Sequence, residues 1–152
     1  MKVVKLLPIV FLLITCCTSL EKRMNRNDSD LYIGVYDCFE DDSIKIIINN
    51  KEIVDIENLT TDSSLGITGL YIEYFLKSRD KGIIKVGNKK VVIEKEIFID
   101  LKKDISLEII RNNNSDKFQI DINKGKKIGI SGCSDDRKHT KMTYFKRNRT
   151  VE

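Results

Sequence analysis

One histidine, His139, sits in the segment SGCSDDRKHTK, with Cys133, Asp135 and Asp136 close to it in the chain. Imidazole, thiolate and carboxylate are the ligand types of a zinc site and the parts of a Cys-His nucleophile pair. A zinc site wants a second pair of soft ligands, and the one other cysteine beyond the N-terminal segment, Cys38, is better used in a bond to Cys133. The segment therefore reads as a polar loop between the last two strands. A second concentration of chemistry is Glu40-Asp41-Asp42-Ser43, three carboxylates in a row just after Cys38. Hard oxygen ligands grouped on a loop suit calcium. A Cys38–Cys133 bond would bring them toward Asp135 and Asp136, which makes Asp41, Asp42, Asp135 and Asp136 the weak candidates for a metal. The spaced D-x-D-x-D-G ligand pattern is missing and charge runs are usually solvated turns, so no metal, cofactor or catalytic residue is assigned.

Where these residues work is set by the N-terminus. Lys2 and Lys5 precede an apolar run over residues 6–15, and polar residues follow from Thr18 through Glu21, Lys22 and Arg23. The run is roughly ten residues long, short of the ~20 that cross a bilayer and within the ~7–15 of a signal-peptide core. Residues 1–15 are read as an export signal.

The end of that run, Leu13-Ile14-Thr15-Cys16-Cys17, resembles the lipobox of bacterial lipoproteins, in which apolar or small residues lead to a cysteine that receives a diacylglycerol. The resemblance covers about twelve residues. It implies Cys16 as the lipidated residue, with Leu13 three before it, or alternatively Cys17. The position before either cysteine, Thr15 or Cys16, departs from the usual Gly, Ala or Ser. It further implies a membrane as partner through the N-terminal lipid and a place in the cell envelope. No aspartate follows the modified cysteine, which points to the outer membrane if the cell has one. Two or three acyl chains hold a protein on a membrane durably where one does not.

Export also decides the cysteines. Cys38 and Cys133 lie near the two ends of the remaining chain, and in an oxidising envelope they are expected to form a disulfide. Closing a loop of roughly 95 residues stabilises by about 4–5 kcal/mol in the chain-entropy picture.

The whole chain carries 27 basic and 23 acidic residues; without Lys2 and Lys5 the balance is 25 to 23. A surplus of about two charges is no nucleic-acid footprint, which needs a clustered basic face, so no nucleic-acid partner is expected. The only proline is Pro8, so lysines rather than prolines must guard exposed strand edges.

The elements that must position these residues are strands. Residues 16–30 read as the lipidated cysteine and a flexible tether, 31–147 as a single β-rich domain, and 148–152 as a tail. Leu31, Ile33 and Val35 share one face with Tyr32 and Tyr36 on the other, and 44–48 and 53–56 flank Asn49-Asn50, a hairpin turn. Residues 66–76 carry a further apolar run. Gly87-Asn88 marks a second hairpin, between 83–86 and 91–94. Period-two alternation gives strands at 97–101, 105–109 and 118–122, a turn at 112–116, and final strands at 127–133 and 142–145. Only YIEYFLK, residues 71–77, reads as a short helix. Residues 59–69 form the longest hydroxyl-rich loop, and the basic aromatic end at 141–149 reads as an edge strand. Eight to ten short strands predict an all-β fold, an antiparallel β-sandwich or barrel.

Together these readings predict a lipid-anchored cell-envelope protein with a binding or structural, non-catalytic role and an envelope protein as a possible partner. The alternatives are a small envelope enzyme or metal-dependent module at the Cys38/Cys133 rim using His139, and an inhibitor or immunity-type protein.

Overall fold

The computed structural model describes residues 29–88 and 91–145; the signal segment, Cys16, Cys17, the tether as far as Asp28 and residues 146–152 lie outside the described residues. Ten strands follow one another: β1 (Leu31–Val35), β2 (Asp42–Ile48), β3 (Lys51–Leu59), β4 (Tyr71–Leu76), β5 (Gly82–Gly87), β6 (Val92–Glu96), β7 (Ile105–Arg111), β8 (Asn114–Ile120), β9 (Lys127–Ser131) and β10 (Lys141–Tyr144). They form a six-stranded sheet in the order β10-β9-β1-β4-β5-β6 and a four-stranded sheet in the order β3-β2-β7-β8. The result is the expected sandwich, and the sheets stay open, so the barrel alternative is not formed. All pairings are antiparallel except β1 with β9, which run parallel because a long connection separates them in sequence.

Alternating isoleucines build the smaller sheet. Ile44, Ile46 and Ile48 of β2 and Ile105, Leu107 and Ile109 of β7 are all fully buried on its inner face, each contributing about 1.5–3 kcal/mol relative to exposure. Its two hairpins use the same device at opposite ends. Asn49 and Asn50 take φ of 47° and 62°, Asn112 and Asn113 take 45° and 70°, the left-handed pair that a two-residue turn requires and that asparagine tolerates. Each first asparagine also reaches sideways: Asn49 Oδ1 accepts the Ser106 N–H at 2.9 Å and Asn112 Oδ1 accepts the Ser43 N–H at 2.8 Å. The expected turn at 112–116 is thus two residues long, and β8 starts at Asn114.

Residues 71–76 form a strand, β4, not a helix. β4 lies between β1 and β5, and both of its faces are covered: Ile72 and Tyr74 point into the core while Glu73 and Phe75 are buried on the other side. A strand buried on both faces loses the polar alternation that would reveal it. The apolar run expected to begin at 66 becomes strand only from Tyr71.

Residues 97–101 are not a strand either. They belong to the crossover that carries the chain from β6 to β7, and Ile99 is buried by a bond to Tyr74 rather than by sheet pairing. The Tyr74 hydroxyl accepts the Ile99 N–H at 3.1 Å and donates to the Ile99 carbonyl at 3.2 Å. Tyr74→Phe removes both bonds and leaves two buried backbone groups without partners, so it should lower the unfolding free energy by about 2 kcal/mol in urea titration.

On the outer face of the larger sheet the rings of Tyr36 and Phe145 lie directly over Gly34 and Gly129, where a Cβ would have no room. The two rings meet edge to face at 5.4 Å, which fastens the end of β10 to the β1 exit.

Candidate functional site

Six strands face four, so the sandwich cannot close on both flanks. On the β10 flank it does close: Met142 and Tyr144 pack with Phe118 against the core, and the Tyr144 hydroxyl accepts the Asp121 N–H at 2.7 Å. On the other flank β6 overhangs. Register places Val86 opposite Ile93 and Ile84 opposite Lys95. Ile84 is fully buried in the core, so Ile93 and Lys95 share the inward face of the sheet. The smaller sheet ends at β3, however, and Ile93 remains 50% exposed, with Val91 and Val92 at 55%.

The space under the overhang is a cleft of about 410 Å³. Its apolar wall comes from Val54 and Ile56 of β3, from Val86 and Ile93 of the larger sheet, and from Leu70 and Val91 just before β4 and β6. Glu52, Asp55 and Lys95 supply charge around it. Glu52 and Asp55 are held by Lys45 at 3.2 and 3.0 Å. Hydrogen bonds that the Lys45 amine donates, to Asp55 first and Glu52 next, raise it above its ordinary value. The volume falls in the range of ligand pockets, and an apolar wall with a few fixed polar groups is their usual lining. Both strands bordering the opening, β3 and β6, are sheet ends, so each turns one row of backbone donors and acceptors outward.

Cys38 and Cys133 are joined, with their Cα atoms 5.1 Å apart, and the bond ties the β1–β2 connection to the β9–β10 connection. Beneath it lies an arrangement that the motifs did not disclose. Arg111, 3% exposed, donates to the Gly132 carbonyl at 2.8 Å, to the Cys38 carbonyl at 2.9 Å and to Asp42 Oδ2 at 2.7 Å, while its guanidinium stacks 4.9 Å from the Phe39 ring centre. Asp42 also accepts from the Glu40 N–H and from Asn112. Burial alone would raise the Asp42 carboxyl, but the Arg111 hydrogen bond, the Glu40 amide, the Arg111 charge and Asn112 together hold it below its ordinary value.

The acidic rim is therefore not a convergent set. Asp42 turns inward to Arg111, Asp41 is exposed, and Asp135 lies 4.0 Å from Lys141. Asp136 accepts from the Lys138 N–H and the Ser134 hydroxyl, which lower its carboxyl. Among the described residues the one close grouping of three potential ligands is Asp37, Cys38 and Cys133, and its two sulfurs are the disulfide. His139 is held by aspartates: its Nδ1 lies 2.7 Å from Asp116 and its Nε2 3.8 Å from Asp136, so both ring nitrogens face carboxylates. Asp116 in turn accepts from the Thr140 N–H and hydroxyl. The histidine thus fastens the start of β10 to β8. The hydroxyl-rich segment is a loop as expected, organised by Asp62, which accepts from Ser64 and whose own N–H reaches the Ile67 carbonyl at 2.9 Å.

Comparison of the chain with protein-family models, with curated proteins and with solved structures gave no match.

Proposed function

We propose that the chain is a lipid-anchored cell-envelope protein whose role is binding: it is held on a membrane through Cys16, or Cys17, and takes an extended apolar segment of a partner protein into the β3/β6 cleft. The observation that carries the binding role is the overhang of β6. Its inward face offers Ile93, with Val91 just before the strand, to an apolar side chain, and its outer edge offers backbone groups to a further strand, the combination used in strand addition. Specificity would come from the alternate side chains of the added strand, which meet the cleft every second residue. The two carboxylates and the lysine at the rim, Glu52, Asp55 and Lys95, then fix register.

The anchor is tested by intact mass and detergent partitioning of the natively expressed protein beside a Cys16→Ser, Cys17→Ser double variant. Acyl mass and detergent partitioning should be present in the first and lost in the second; an unmodified, water-soluble mature chain would overturn the anchor. The cleft is tested by crosslinking in intact cells from a photoreactive residue placed at Val92, on the exposed β6. A single partner protein should be captured and its yield should fall at least tenfold in an Ile93→Glu variant that unfolds at the wild-type urea midpoint. Equal capture by both chains would remove the cleft from the binding site.

A further inference from the structure

Strand direction sorts the loops of the sandwich into two poles. The described chain enters at the start of β1, where the Asp30 N–H donates to the Tyr74 carbonyl at 2.9 Å and Asp30 Oδ2 accepts the Leu76 N–H at 2.8 Å. β4 runs antiparallel to β1 and β9 parallel to it, so the 77–81 and 121–126 loops lie at this same pole. β10 runs against β9 and ends here too, with the Phe145 N–H on the Lys127 carbonyl. The 97–104 crossover joins through the Ile97 N–H on the Gly82 carbonyl, and the β2–β3 turn through Asn49 on Ser106.

Charge divides along the same line. The 77–81 loop holds Lys77, Arg79 and Lys81 against Asp80, and the 121–126 loop holds Lys124 and Lys126 against Asp121 and against Asp30 of the chain entry, 3.9 Å from Lys126. The crossover adds Lys102 and Lys103 against two aspartates, and Lys51 follows the β2–β3 turn; all eight of these basic side chains are exposed. At the far pole the described loops at 36–41, 60–70 and 132–140 carry six carboxylates against Arg137 and Lys138; Lys89 and Lys90 of the β5–β6 turn lie outside the described residues. Among the described residues, the small overall surplus thus conceals a basic pole where the described chain begins and an acidic, disulfide-stapled pole opposite.

We infer that the basic pole is a docking face for anionic lipid headgroups, which turns the acidic pole away from the membrane. The inference rests on the anchored reading proposed above. Asp30 lies fourteen positions after Cys16, a reach of at most about 50 Å. That is several times the Debye length of about 8 Å at physiological ionic strength, so the anchor brings the domain near the surface without choosing its orientation. Lysines and arginines within a Debye length of an anionic leaflet are attracted, and carboxylates are repelled. The two poles therefore turn the domain in the same sense, and the β3/β6 cleft, which runs along the flank, stays open to a partner from the side.

The test uses the acylated full-length protein reconstituted into vesicles of phosphatidylcholine alone or with 30 mol% phosphatidylglycerol. Acylation of each lysine by a water-soluble amine reagent is read by mass spectrometry. Lys77, Lys81, Lys102 and Lys124 should be labelled at least fivefold more slowly on the anionic vesicles, Lys138 should be unchanged, and 0.5 M salt should abolish the difference. Equal labelling at both poles on both vesicles would overturn the inference while leaving the anchor intact. If the purified chain carries no acyl group, the anchor falls separately. Co-sedimentation of that chain with the anionic vesicles, lost on Lys77→Glu, Arg79→Glu and Lys81→Glu together, would then sustain the docking face, and no co-sedimentation would overturn it. Protection by a single-stranded nucleic acid but not by vesicles would also overturn it, and would assign the pole to a polyanion other than lipid.

Discussion

Replacing Cys38 and Cys133 together with serine should lower the unfolding free energy by about 4–5 kcal/mol, the chain-entropy value for a closed loop whose ends here are 95 residues apart. Small domains are stable by about 5–15 kcal/mol in total, so the loss should be a large fraction of the whole stability. The Cα separation of 5.1 Å is an ordinary one for a disulfide, so native-state distortion need not offset the gain. The bond also acts locally. It ties together the two connections whose carbonyls, those of Cys38 and Gly132, are both held by Arg111. Single serine variants should match the double variant, because either one opens the loop, and dithiothreitol should move the wild-type urea midpoint by the same amount. A midpoint insensitive to reduction would refute the loop-closure account.

Much of this fold could be read from the period-two isoleucines, because in β2 and β7 one face is core and the other is wet. The reading failed where that condition failed. β4 is covered on both faces, so Ile72, Glu73, Tyr74 and Phe75 lost their alternation. Ile97, Ile99 and Leu101 alternate in a crossover, where burial comes from the Tyr74 hydroxyl and the core edge instead of from ladder bonds. The Cys38–Cys133 bond was legible from compartment and position. The Asp42–Arg111 pair was legible as well and was missed: Asp42 stands in phase with Ile44, Ile46 and Ile48, and Arg111 in phase with Ile105, Leu107 and Ile109. Two opposite charges on the apolar phase of neighbouring strands are a signal, since neither tolerates burial alone. The cleft was not legible, because it depends on how many strands each sheet holds and on which edges face each other. The two poles were hidden for the same reason: loops far apart in sequence carry them, and only strand direction sorts them.

Arg111→Met tests that buried pair. It leaves the Asp42 carboxylate without its main partner and the Cys38 and Gly132 carbonyls without their donor, a loss of about 3–5 kcal/mol at neutral pH for a broken buried ion pair. Adding Asp42→Leu should recover only part of this, because the two carbonyls stay unsatisfied. The pH dependence carries the sharper prediction. In the wild type the Asp42 carboxyl is held below its ordinary value, so its contribution is complete above the unfolded-chain value of about 3.9 and is lost as the pH falls from there through the lowered folded value. In Arg111→Met the balance reverses: burial, the largest single influence on Asp42, no longer meets the guanidinium, and the carboxyl should rise above its unfolded value. Protonation then favours the folded state, so the cost of the substitution should shrink as the pH is lowered from 7 through the raised value. Urea midpoints between pH 2.5 and 7 should therefore converge for the two proteins on acidification. Parallel curves would show that Arg111 acts through its carbonyl bonds and its stacking on Phe39 alone, with Asp42 held by Glu40 and Asn112.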